Sequence, residues 1–149
     1  MSTRCNVIIK DDQDQLIFYH HSDGYPDGVL PTLKKFMQWV ADGRVRSNVE
    51  QASGWLILIG AGEYGSRYEK DSGGKYQHVP KETLTEPDPE DHFNGWKCGA
   101  YEPSIDIHGD IEFLYTLDLK KLTIHVHDER EDGNSYTIEF EKSAEYIDY

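Results

Sequence analysis

Five side chains near the start of the chain have the chemistry to hold an anion: Arg4, Tyr19, His21, Asp23 and Tyr25. An arginine fork donates paired hydrogen bonds to a phosphate or carboxylate, and imidazole, phenol hydroxyls and exposed turn amides can complete such a cradle. The same residues can equally form a structural cluster, in which Asp23 accepts from turn amides, Arg4 neutralises it and the tyrosines pack. Spacing alone leaves both readings open. His125 and His127 offer a different chemistry. On a strand, residues two apart face the same way, so both imidazoles, beside Thr123 and near Glu139, could approach one metal ion, given a third ligand from His108, Glu112 or another side chain. The alternative is a solvated polar face shared with Thr137, Glu139 and Glu141.

Gly60-Ala61-Gly62-Glu63-Tyr64-Gly65 spells a formal G-x-G-x-x-G after the apolar run Trp55 to Ile59. In a dinucleotide fold these glycines admit a pyrophosphate at a helix N-terminus, but Ser66 to Gly74 carries no apolar stripe for a crossover helix. Gly60 and Gly62 instead read as the close-packed end of a helix. Cys5 falls on an apolar face and Cys98 next to Trp96 and Lys97, with no histidine tied to either by spacing. Carboxylate pairs such as Asp106 with Asp110, or Glu90 with Asp91, are what chance supplies in so acidic a chain, and none marks an acid and a base. No catalytic residues, metal ligands or cofactor are therefore assigned.

These side chains need elements to position them. Cys5 to Lys10 and Gln15 to His20 are β-rich runs around the polar turn Asp11 to Asp14, an antiparallel hairpin that pairs Lys10 with Gln15 and Arg4 with His21. Cys5, Val7, Ile9, Leu16 and Phe18 then share the apolar face; Arg4, Asn6, Ile8, Ile17, Tyr19 and His21 share the other. A turn-rich loop, His21 to Gly28, leads into a helix on Leu30, Leu33, Phe36, Met37 and Val40, with Pro31 in its first turn and Gly43 at its stop. A second helix is expected from about Ser47, whose spacing to Glu50 suits a capping box. Residues 65–98 read as a long loop broken by Gly73-Gly74, Pro80, Pro87 and Pro89. Ile111 to Leu117, Leu122 to Val126 and Tyr136 to Phe140 alternate as a three-strand meander, with Tyr101 to Ile107 as a possible fourth strand. The expected fold is α+β: a mainly antiparallel sheet, built from the N-terminal hairpin and C-terminal meander, with two helices on one face of a single domain.

With 15 Lys+Arg against 28 Asp+Glu in 149 residues, the formal net charge is −13. That disfavours generic nucleic-acid binding, which draws its affinity from clustered cations releasing counterions. No apolar run approaches the roughly 18 residues a membrane span needs, and two distant cysteines fit a reducing cytoplasm.

Met1 to Ile9, followed by Tyr19-His20-His21-Ser22-Asp23-Gly24-Tyr25-Pro26, resembles a family of small, functionally uncharacterised phage and prophage proteins. Ile107 to Tyr115 is similar to a recurring segment in some of its members, many of which have His-Trp where His21-Ser22 stands here. The resemblance implies a phage or prophage accessory protein acting in the cytoplasm of a bacterial host. Three functions compete on that basis. The leading expectation is a non-enzymatic binder that sequesters a small anionic, nucleotide-type signal of host defence, with Arg4, Tyr19, His21, Asp23 and Tyr25 as the site. The second is an acidic inhibitor of a host defence protein with a basic groove, since the charge of −13 would steer such an encounter. The third is a nucleotide hydrolase centred on His125 and His127 or on His21 and Asp23.

Overall fold

The computed structural model describes residues 2–61, 66–70, 73, 75–80, 100–130 and 133–143. The first apolar runs form β1 (Cys5–Lys10) and β2 (Gln15–His20), paired antiparallel in the expected register from Lys10↔Gln15 to Cys5↔His20. Two helices follow, α1 (Pro26–Ala41) and α2 (Val49–Ala61). A separate hairpin pairs β3 (Ser66–Lys70) with β4 (Tyr76–Pro80). The chain ends in β5 (Glu102–Ser104), β6 (Phe113–Asp118), β7 (Thr123–Asp128) and β8 (Ser135–Glu139).

Six strands form one mixed sheet in the order β5-β2-β1-β6-β7-β8. All neighbours are antiparallel except β1 and β6, which run parallel from Cys5↔Phe113 to Lys10↔Asp118. The fold is α+β, with both helices on one face of this sheet. Val29, Leu33, Phe36, Met37 and Leu56 from the helices meet Val7, Ile9, Phe18, Tyr115, Leu117 and Ile124 from the strands in one core. β1 lies in the interior of the sheet and is buried on both faces, Asn6 and Ile8 included. Helices cover its front, and the β5–β6 connection covers part of its back, contacting Asn6 and Tyr19.

Several expectations are corrected in detail. Tyr101 to Ile107 contributes only β5, which lies beside β2 at the far edge rather than joining the meander. The β3–β4 hairpin occupies part of the expected 65–98 loop; residues 81–98 of that loop, with Cys98, Glu90 and Asp91, lie outside the described residues. Helix α1 begins at Pro26, whose fixed φ suits a first position, so Pro31 falls one turn further in than expected. Helix α2 begins at Val49, and its cap comes from afar. The Asp11 carboxylate in the β1–β2 turn accepts from Val49 N at 2.9 Å as well as from Gln13 N and Asp14 N at 2.8 Å. Ser47 does not use its hydroxyl as a cap; its Oγ meets Lys120 Nζ at 3.2 Å. The expected close-packed helix end is seen at Gly60, inside α2, where a Cβ would overlap the ring of Tyr101. The segment Trp55 to Ile59 is helix rather than strand, which removes the strand–loop–helix context of a dinucleotide site; Gly62 and Gly65 lie outside the described residues. Among the described residues no helix is long and apolar enough to cross a membrane.

Candidate functional site

On the back of the sheet, opposite the helices, lie Asn6 of β1, Tyr19 of β2 and Arg4, the residue before β1. The loop between β5 and β6 crosses this face and is fastened to it at several points. Asn6 is fully buried: its Nδ2 donates to the Phe18 carbonyl at 2.9 Å, and its Oδ1 accepts from the His108 amide at 2.8 Å. The His108 ring stacks on Tyr19, with centroids 3.8 Å apart and planes within 13°. Arg4 Nε lies 3.2 Å from Asp110 Oδ2, an ion-pair contact without hydrogen-bond alignment. The Tyr19 hydroxyl is within a long 3.5 Å of the same oxygen and 3.3 Å from His21 Nδ1. Burial and the neighbouring Asp110 carboxylate raise the Tyr19 pKa, so its hydroxyl stays protonated at neutral pH. Beyond the cluster, Glu112 N donates to Arg4 O at 2.8 Å, which leads the chain into β6.

Arg4, Tyr19 and His21 therefore do converge, joined by His108 and Asp110. Asp23 and Tyr25 do not belong to that group: among the described residues no hydrogen bond or ion pair links them to it. Asp23 adopts a left-handed φ of 56°, and Tyr25 carries the first carbonyl of α1, accepting from Gly28 N at 2.9 Å. Between them Gly24 is tied down from both sides, its N–H to Thr3 O at 2.9 Å and its carbonyl to the Tyr115 hydroxyl at 2.8 Å. The arginine's counter-charge is Asp110, not Asp23. Its charge is matched by a carboxylate, and the cluster works as a clamp on the loop.

What the clamp holds out is apolar. Ile105 is 96% exposed and Ile107 47%, between exposed Glu102, Asp106 and Asp110. Ser104 Oγ donates to the Asp106 carbonyl at 2.6 Å and tightens the turn that carries Ile105. The chain thus spends buried polar contacts on positioning a loop whose apolar side chains remain in water.

His125 and His127 do share one exposed face of β7, as their spacing requires. Each Nδ1 is engaged by a hydroxyl from β8, Thr137 Oγ1 at 2.9 Å for His125 and Ser135 Oγ for His127. Glu129 Oε1 is 3.8 Å from His127 Nε2. Glu139 pairs across from Thr123, diagonal to His125 on the same face, while Thr137 stands directly opposite His125. The described residues contain no group of three His, Cys, Asp or Glu able to hold a metal ion.

Spacing missed a second feature, built by the end of α1. Gly43 takes a φ of 78°, a conformation glycine adopts freely, and turns the chain so that Arg44 N and Val45 N both donate to the Trp39 carbonyl, at 2.9 and 3.3 Å. That fold-back lays the Arg44 guanidinium 5.6 Å over the Trp39 ring, with Lys35 Nζ at 5.5 Å one helical turn earlier. Trp55 of α2 meets Trp39 edge to face, with centroids 6.3 Å apart and planes at 84°. Trp39, Arg44, Val45 and Trp55 line a recess of about 90 Å³. Glycine at the helix stop was visible in the sequence; that it would bring these four side chains together was not.

The chain matches no protein-family model, no curated protein and no solved structure.

Proposed function

We propose that this chain acts by binding rather than catalysis, as an acidic module whose β5–β6 loop docks on a partner protein. The partner's surface would carry an apolar pocket rimmed by lysine and arginine. In the phage or prophage setting that the first residues resemble, that partner is a host defence protein. One observation carries the reading: Ile105, 96% exposed, on a loop clamped by Asn6, Tyr19 and Arg4.

Energetics favour this use of the loop. Burying an exposed isoleucine contributes about 1.5–3 kcal/mol, and a loop already held in place loses little further conformational freedom on docking. Glu102 and Asp106 flank the apolar tip, and the net charge of −13 attracts cationic surfaces at long range while repelling a second copy. Sequestration of a small anion at the hairpin end fits less well, because Arg4 is already matched by Asp110. Capture from bacterial lysate, followed by binary reconstitution with the captured protein once purified, tests the docking reading. Wild type should bind in a salt-sensitive manner and Ile105→Asp should not; equal binding by the two rejects the loop as the docking element.

A further inference from the structure

We infer that the recess between α1 and α2 is a second binding site, for the planar ring of a small anionic ligand of the nucleoside monophosphate class. Three observations converge on it. Two indoles touch edge to face at 84° and so form a corner, in which a flat ring can lie against the exposed surface of Trp55 beside Trp39. Trp55 remains 42% exposed, leaving that surface to a ligand instead of the core. The third is charge. Arg4 and Arg130 both sit on carboxylates, Asp110 and Asp128; among the described residues Arg44 and Lys35 have no carboxylate partner, and of the cations so placed these two lie over the Trp39 ring at the recess. In a chain of net charge −13, two unmatched cations beside an aromatic recess form a local anion site against the overall field.

Size sets the ligand class. A recess of about 90 Å³ is well below the roughly 300–1,000 Å³ of sites that enclose a whole drug-sized ligand. It can enclose no more than part of one ring, so the rest of the base and the attached sugar and phosphate would lie outside, along Arg44 and Lys35. Sequence-tolerant stacking follows, since every base has a π-face.

The test is titration of the intact chain with AMP, GMP, CMP and UMP, observed through the indole N–H signals of Trp39 and Trp55 in heteronuclear NMR, with adenosine and inorganic phosphate as separate arms. AMP should shift both signals saturably. Trp55→Ala should weaken binding roughly 5- to 150-fold, the span of one lost base stack. Arg44→Gln should weaken AMP but leave adenosine unchanged. Urea denaturation of each variant checks that it folds, and Arg44→Gln, at an exposed position, keeps the test open should Trp55→Ala not fold. No saturable shift by any of the four nucleotides up to about 10 mM, where even a weak site fills, overturns the inference. So does AMP affinity unchanged in either folded variant, adenosine binding as tightly as AMP, or inorganic phosphate alone reproducing the shifts. The docking loop plays no part here: Ile105→Asp should bind AMP like wild type, so the two readings fail separately.

Discussion

Replacing Asn6 with alanine isolates the clamp that positions the β5–β6 loop. Asn6 is fully buried and makes two hydrogen bonds, to the Phe18 carbonyl at 2.9 Å and from the His108 amide at 2.8 Å. Losing the first strips a buried carbonyl of its side-chain donor, which costs about 1–3 kcal/mol. Losing the second frees a partly solvated amide that water can reach, so its share is about 0.5–1.5 kcal/mol. The sum, about 1.5–4.5 kcal/mol, should lower the urea midpoint by roughly 0.8–2.2 M if the slope is about 2 kcal/mol per molar. Arg4→Ala is the internal control. That pair is more than a third exposed on the arginine side and half exposed on the aspartate side, so it should cost under about 1 kcal/mol. Hydrogen exchange adds a local readout: the His108 amide should lose protection in Asn6→Ala while the β6 and β7 amides keep theirs. If Asn6→Ala costs no more than Arg4→Ala, or His108 exchanges as in wild type, the loop is not held by the buried asparagine.

Glycines in α2 supply a paired test. A Cβ at Gly60 would overlap the buried Tyr101 ring, so Gly60→Ala should destabilise by about 1–3 kcal/mol, whereas Gly54, with nothing within 4 Å, should gain about 0.5–1 kcal/mol as alanine; thermal melts read both. Tyr115→Phe leaves the Gly24 carbonyl without its donor in a buried setting and should cost about 1–3 kcal/mol, measured by urea denaturation. Asp11, held low by backbone amides of Asp14, Gln13 and Val49, and Asp128, drawn down to about 2 chiefly by Arg130, both titrate below their unfolded values. Both contribute stability that is present above the ordinary aspartate pKa of about 4 and is lost as pH falls below it, for Asp128 through about 2, so Asp11→Asn should flatten the acid limb of a stability–pH profile.

The hairpin was legible because its register follows from one polar turn and strict alternation: Lys10 against Gln15 dictates Cys5 against His20. The meander strands were legible for the same reason. The parallel β1–β6 pair was not, since it joins segments about a hundred residues apart and no local pattern encodes a partner. Likewise the α2 cap. Ser47 and Glu50 have the local spacing, yet Asp11 is brought there by tertiary packing and competes successfully. At the candidate site, alternation placed Arg4, Asn6, Tyr19 and His21 on one face, where His108 meets Asn6 and Tyr19. What the sequence could not show was that Asp110 rather than Asp23 would answer Arg4, because that depends on the path of the connection from β5. Asn6, His108 and Ile105 went unrecognised as a unit for the same reason. An apolar–acidic alternation, Ile105-Asp106-Ile107, was their one visible signal, and it also fits a strand.

Docking of the clamped loop through Ile105 is tested most directly by the binary dissociation constant of the captured, purified partner. Ile105→Asp removes about 1.5–3 kcal/mol of apolar burial and places a charge in the pocket, so affinity should fall at least roughly 10- to 100-fold while the urea midpoint stays at the wild-type value. An unchanged dissociation constant for a folded Ile105→Asp protein would contradict the account.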